Sequence, residues 1–426
     1  MSQTVKPAAP TLSPLALVAG MSGNLMEWYD FALYGVLAAT LGQLFFPHGS
    51  RLAALLAVFG VFAAGFVMRV VGGAAFGHIG DRLGRRRALL VSASVMALAT
   101  ALVGCLPTYA QAGVWAPILF TLFRLLQGLS VGGEFTTSIS FLIEHAPPRH
   151  RALQGSLAGC TGGLGILLGS AMGNALFSIF THDDVLAWAW RLPFLLSVPL
   201  GLSLAVLRAT LPADAPQAAR APGTVSPVWA VLRSHPRRIV RGALLGWGPN
   251  SAFYTVAVFL GSFMATERML PLQSALGLQT ASIALMVVLT PLAGALADRV
   301  GRRRVVLSGL ALLAALAAPL LMILRNGDPR DDLFAELLYS ALIVCALPVY
   351  QVWIAESFPH AMRTSGLGLA YNGAAGILGG TTPLISTALA DASGSALAPA
   401  AYVILACAVS FAMGLGTPET GDRPLT

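Results

Sequence analysis

The chain has 426 residues and a formal net charge of +8, yet only 10% of its residues are charged and 56% are apolar. With a mean hydropathy of +0.75, against about 25% charged residues for a soluble domain, it cannot be a soluble, disordered, fibrous or disulfide-framed protein. What remains is an all-α membrane protein, because only helices and closed barrels satisfy their backbone in lipid, and these apolar runs are too long and unbroken for barrel strands.

Twelve runs are long enough to span a bilayer. The first, 15–40, carries Asn24, Glu27, Asp30 and Tyr34. At helical spacing these four fall within about 120° of one another. The second, 52–76, carries Arg69, and the third, 88–106, is free of charge. The fourth, 115–143, holds Arg124, Gln127, Glu134 and Ser138, within about 80° of one another. The fifth, 152–180, carries two glycine stripes, Gly155-Gly159-Gly163 and Gly165-Gly169-Gly173, read as close helix packing. The sixth runs over 191–209, and 210–238, rich in Pro, Ala and Arg, reads as a cytoplasmic linker. Span 239–265 holds Asn250, Ser251 and Tyr254; 272–297 and 305–324 follow. Span 333–355 holds Tyr350, Gln351 and Trp353, 364–390 holds Tyr371 and Asn372, and 396–416 closes the series. The expected domains are therefore six-helix bundles over 15–209 and 239–416. The second bundle reads as almost free of buried charge.

The halves repeat. Gly77-His-Ile-Gly-Asp81-Arg82-Leu-Gly84-Arg85-Arg86-Arg87 recurs about half a chain later as Gly294-Ala-Leu-Ala-Asp298-Arg299-Val-Gly301-Arg302-Arg303-Arg304. Glu144-His-Ala-Pro-Pro-Arg-His-Arg151 recurs as Glu356-Ser-Phe-Pro-His-Ala-Met-Arg363 at nearly the same offset. Two matched landmarks indicate a parallel repeat, so the bundles are expected to be related by a pseudo-two-fold axis. With the N-terminus inside, 19 Lys and Arg fall in inner segments, 5 in outer ones, and Arg69 and Arg124 within the membrane. That bias expects both termini in the cytoplasm. It also explains the basic charge without nucleic acid.

The first, second and fourth spans hold five charges: Glu27, Asp30 and Glu134 against Arg69 and Arg124. Each costs about 2.5–3.5 kcal/mol at a bilayer centre, so together they must face a shared interior or a watery cavity. Carboxylates there suit proton carriage, and no intramembrane histidine competes for that role. Glu27 and Asp30 have a plainer reading as ion-pair partners of Arg69 or Arg124. Arg124 reads either as ligand for a substrate carboxylate or as a structural partner of Glu134. The four cysteines stand singly and imply no disulfide framework. No metal or cofactor is expected, and no phosphate-binding loop, zinc-protease or nucleophile-elbow motif supports an enzyme or an ATP-driven pump.

The duplicated Gly-x-x-x-Asp-Arg-x-Gly-Arg-Arg loop resembles the signature of the major facilitator superfamily. Three further strings resemble its metabolite:proton symporter family: Gly23-Asn24-Leu-Met-Glu27-Trp28-Tyr29-Asp30-Phe31, Arg124-Leu-Leu-Gln127-Gly128-Leu-Ser-Val-Gly132-Gly133-Glu134, and Trp188-Ala-Trp190-Arg191-Leu-Pro193-Phe194. The resemblance implies a multi-pass monomer in a bacterial inner membrane. It implies proton-coupled uptake of a small carboxylated metabolite, either an organic acid or a zwitterion such as proline or betaine, by alternating access. Proton coupling is expected at Glu27, Asp30 and Glu134. Substrate contacts are expected from Asn24, Tyr34, Arg124, Gln127, Tyr254, Gln351, Trp353 and Asn372. Gating is expected from Arg69, Asp81, Arg85, Glu144, Asp298 and Arg302, with Asp81 against a helix N-terminus and Glu144 as the acid facing the first loop. The competing reading is a proton-antiport exporter on the same fold, against which the two intramembrane arginines count.

Overall fold

The structure, a computed structural model, describes residues 13–46, 51–209, 226–260, 264, 272–326, 328–395 and 397–425. Among these the chain is helical throughout, with no strand. Helix α1 is Pro14–Met21 continued by Gly23–Phe45; α2 is Arg51–Leu83, α3 Arg85–Gly104, α4 Trp115–His145 and α5 Arg151–Ile179. Helix α6 is Arg191–Leu195 continued by Ser197–Ala209. Helix α7 is Pro236–Tyr254 with a π-helical turn, Thr255–Phe259. Then come α8 (Leu272–Val300), α9 (Arg302–Asn326), α10 (Pro329–Glu356), α11 (Arg363–Asn372, Gly373–Gly379 and Thr382–Ser393) and α12 (Ala398–Leu415). Among the described residues, eight of these helices are long and apolar enough to cross a membrane by length and composition. Of the expected linker, 210–225 lies outside the described residues, while Pro227–Ser234 is a short helix against α2 and α7 begins at Pro236.

The helices overrun the apolar runs. Asp81 and Asp298, read as loop residues, occupy the last turns of α2 and α8. Hydropathy marks where lipid ends, but backbone hydrogen bonding continues into water. Each of these helices hands over to the next through one glycine, Gly84 at φ 102° and Gly301 at φ 106°. That backbone region is costly for any residue with a Cβ, which gives the repeated motif a physical reason for its second glycine.

Two seams join the halves, α2 with α11 and α5 with α8. The glycine stripes of α5 divide between neighbours. Gly165 and Gly169 lie against backbone oxygens of α1, whereas Gly155 and Gly163 lie against Val352 of α10 and Val287 of α8. Small residues let helices approach this closely. Within the first half, Gly132 of α4 abuts the backbone of Arg69 on α2, which fixes the distance between the two arginine-bearing helices.

Candidate transport site

Three buried ion pairs run through the middle of the first half: Arg69 with Glu27, Arg124 with Asp30, and Arg208 with Glu134. The alternative pairing of Arg124 with Glu134 is thereby corrected. Asp30 lies within reach of Arg124 because both belong to one polar layer. In it the Gln127 amide donates to Asp30 Oδ1 and to Thr100 Oγ1, each at 2.8 Å, and Arg124 Nη1 donates to Gln127 Oε1 at 2.9 Å. The Arg124 guanidinium also lies over the Tyr34 ring, 4.2 Å from its centroid, a cation–π contact. Glu134 is instead taken by Arg208, whose side chain is 0% exposed. Arg208 is one of the 19 Lys and Arg counted to the inner side, and it stands in the last turn of α6. The available signal was its position inside the sixth apolar run, flanked by Leu207 and Ala209.

Two of these pairs border free space. A cavity of about 40 Å³ is lined by Glu27, Asp30, Arg69, Arg124 and Gln127, with Trp28 and Phe66. Beyond Trp28, a cavity of about 70 Å³ lies between the halves, bordered by Asn250, Tyr254, Gln351 and Tyr371 among mostly apolar neighbours. Arg69 connects the regions: it lies 5.7 Å from the Trp28 ring centroid and hydrogen-bonds the Tyr254 side chain of α7. The π-helical turns of α7 and α11 begin directly after Tyr254 and Asn372, and such turns are frequent at functional sites.

Of the expected substrate ligands, Arg124, Gln127, Tyr254 and Gln351 line these cavities. The other four do not. Asn24 donates to Ser138 Oγ and to the Ala158 carbonyl, tying α1 to α4 and α5. The Tyr34 hydroxyl donates to the Val58 carbonyl at 2.6 Å. The Trp353 indole donates to the Pro418 carbonyl at 2.8 Å and anchors the C-terminal tail. Asn372 donates to the Gly132 carbonyl at 2.8 Å, across the α11–α4 contact. Each of these four side chains donates to another part of the chain, and none lines either cavity. Arg69, expected at a gate, stands on the cavity wall instead.

The remaining charges gather on the Arg-rich face. Asp81 accepts from the Ser365 N–H (2.9 Å), the Ser365 hydroxyl (2.6 Å) and the Thr364 N–H (3.3 Å) at the start of α11. Asp298 accepts from Ala152 and Leu153 N–H at the start of α5, at 3.0 and 2.8 Å. Both carboxylates thus sit where a helix dipole favours an anion. Glu144 lies between Arg85 (3.1 Å) and Arg363 (2.7 Å). Glu356 lies between Arg302 (3.3 Å) and Arg151 (4.0 Å). Every one of these contacts except Arg85–Glu144 and Arg302–Glu356 crosses between the halves. The tail adds a strap: Glu419 accepts the N–H groups of Arg302 and Arg303 at the start of α9, at 3.1 and 2.9 Å.

The family model described as "Sugar (and other) transporter" matches residues 15–216, and that described as "Major Facilitator Superfamily" matches 274–424. The proline/betaine transporter of Salmonella typhimurium is 31% identical over 96% of this chain and 84% of its own length. The citrate-proton symporter of Klebsiella pneumoniae is 33% identical over 92% of this chain and 88% of its own. Among solved structures, the proton:xylose symporter from E. coli superimposes with a TM-score of 0.79 at 18% identity, covering 96% of this chain and 97% of that one. The chain belongs to the major facilitator superfamily and, within it, to the metabolite:proton symporters. It is a membrane transporter with the twelve-helix fold, not an enzyme.

Proposed function

We propose that this metabolite:proton symporter imports a small molecule bearing a carboxylate, with Arg124 as the group that receives it. The observation that carries the reading is the Arg124–Asp30–Gln127 layer on the cavity wall. A guanidinium offers a planar fork matched to a carboxylate. Asp30 holds that guanidinium through Nη1. Protonating Asp30 releases the guanidinium, which then accepts the substrate carboxylate in its place. Substrate and proton thus enter together, and an unprotonated Asp30 competes the substrate off. The relatives carry proline or betaine and citrate by name; all three bear a carboxylate, so either class meets this requirement. Glu27 and Glu134 are the further proton-coupling acids, and Tyr254 and Gln351 shape the cavity from the second half.

The Arg-rich face is assigned to the cytoplasm, with both termini there and the two bundles, 15–209 and 239–416, working as a monomer in a bacterial inner membrane. Asp81, Arg85, Glu144, Asp298 and Arg302 then form the cytoplasmic gate, which opens when the contacts between the halves part.

The test is uptake by proteoliposomes of labelled proline, glycine betaine and citrate under an imposed inward proton gradient. Accumulation of one of them, collapsing with a protonophore, is the expected result. Accumulation indifferent to the protonophore overturns proton coupling. Equal uptake of an analogue whose carboxylate is amidated overturns the role of Arg124.

A further inference from the structure

The third ion pair, Arg208 with Glu134, does not border the substrate cavities. It faces a separate void of about 10 Å³, lined by Gly23, Met26, Glu27, Met96, Ser130 and Glu134. On this scale one water needs roughly 10–15 Å³ and at least two polar partners. Two carboxylates supply them. Glu27 spends one oxygen on Arg69 and leaves Oε2 buried with no hydrogen-bond partner among the described residues. Glu134 stands across the void, held by Arg208 and by the Ser92 hydroxyl. Arg208 also donates to the Leu89 carbonyl, so its guanidinium is fastened to α3 as well as α4. Gly23 lines the same void, and a Cβ there would collide with both Glu134 and Arg208. The pair therefore fits only because α1 has no side chain at that point.

We propose that Glu27, one bridging water and Glu134 form a proton branch that leaves the substrate site toward the Arg-rich face, with Arg208 as its positioning residue. The proposal rests on the proton-symport reading. The protonated Glu27 carboxyl donates its proton to the water oxygen while that water donates one of its own to a Glu134 oxygen. The water is regenerated, Glu27 becomes a carboxylate neutralised by Arg69, and Glu134 becomes the neutral acid. Loss of that proton to the cytoplasm restores the Glu134–Arg208 pair. Arg208, fastened to α3, holds Glu134 at the void and favours its ionised form, so the proton does not stay there; the imposed gradient sets the net direction. Substrate, at Arg124, and proton, at Glu134, leave by different routes.

The experiment compares full-length variants in liposomes, reading for each the ratio of gradient-driven accumulation to counterflow exchange. The probes are labelled proline, glycine betaine and citrate, with a pH dye inside the vesicles. Glu134→Gln is expected to lower the ratio at least tenfold and to abolish substrate-induced acidification. Because it leaves Arg208 buried without its partner, the decisive variant is Glu134→Gln combined with Arg208→Met, which removes both charges. A relay predicts that the double variant stays uncoupled. A double variant that accumulates like the wild type overturns the proposal and makes the pair structural. Arg208→Lys, which keeps the charge, should recover at least part of the ratio; no recovery in a folded protein removes Arg208 from the relay. A wild type that drives no proton entry with any of the three probes overturns the symport reading itself, and the relay with it.

Discussion

The two halves share a fold and a repeat but place their charges differently. The first half buries three arginine–carboxylate pairs in its middle. The second offers Asn250, Tyr254, Gln351 and Tyr371 around the main cavity. Its own buried charges stand at the ends of the helices: Asp332 and Glu336 near the start of α10, and Arg302, Glu356 and Arg363 on the Arg-rich face. The expectation of a second half almost free of buried charge therefore holds only for its centre. The difference suggests a division of labour. On the proposed function, charge recognition and proton binding use helices of a single bundle, so their geometry survives when the bundles rock against each other. The opposing bundle supplies shape. Arg69, through Tyr254, lets the central charges of one half sense the position of the other.

The largest effect that could break this comparison comes from splitting one central pair. Arg124→Met leaves Asp30 buried without its cation, which costs about 3–5 kcal/mol when one partner of a buried pair is removed. Replacing both, as Arg124→Met with Asp30→Leu, should restore most of that stability while transport stays absent. In the second half, Gln351→Leu should leave stability within about 1.5 kcal/mol and change apparent affinity instead. Thermal unfolding and uptake, measured together, decide it. If Gln351→Leu destabilises as much as Arg124→Met, the proposed division of labour fails.

A middle-sized effect tests the gate and its symmetry. Asp81 and Asp298 cap the starts of α11 and α5 in the same manner, so Asp81→Asn and Asp298→Asn should act alike. Each removes an anion from a helix N-terminus, worth about 0.3–2 kcal/mol. That shifts the ratio of closed to open states by roughly two- to thirtyfold. A cysteine placed on the Arg-rich end of α4 or α10, in a background lacking the four native cysteines, should label faster in both variants. Faster labelling in one alone shows that the two seams carry unequal parts of the closed state.

The fold was legible because lipid imposes long apolar runs and because the Asp81 and Asp298 loops repeat. The site was legible in part. Charges inside apolar runs are costly enough to advertise themselves, which brought Glu27, Asp30, Arg69, Arg124 and Glu134 into view. Pairing was not legible. Helical spacing gives the face of one helix but not which neighbour meets it, so Arg124 could be assigned equally to Asp30 or Glu134. Arg208 was lost because a charge in the last turn of a span looks the same whether it points outward to water or inward to a carboxylate. That Asn24, Tyr34, Trp353 and Asn372 donate to other parts of the chain was not legible for a related reason. A buried polar side chain must be satisfied, and sequence alone does not tell a substrate from a backbone carbonyl.

The smallest effect concerns the strap, which so far belongs to the second half alone, since the residues after α6 that would correspond to it lie outside the described residues. Burial by itself would raise the Glu419 carboxyl. The N–H groups of Gly421, Arg303, Arg302 and Thr420 outweigh it and hold the group below its ordinary value of 4.5. A depressed folded value means that the carboxylate stabilises the folded chain above about pH 4.5, and that this share is lost as the pH falls through the folded value. Glu419 is half-buried, so solvent screens part of the gain. A helix-capping contribution of about 0.5–1 kcal/mol is the reasonable scale. Glu419→Gln should therefore unfold slightly earlier than the wild type at neutral pH, and the two should converge in acid. Because Arg302 and Arg303 start α9, the same substitution should loosen the Arg302–Glu356 contact and speed labelling on the α10 side more than on the α4 side. A uniform loss of stability at every pH would instead mean that Glu419 acts through packing, and that the strap adds nothing electrostatic to the gate of the second half.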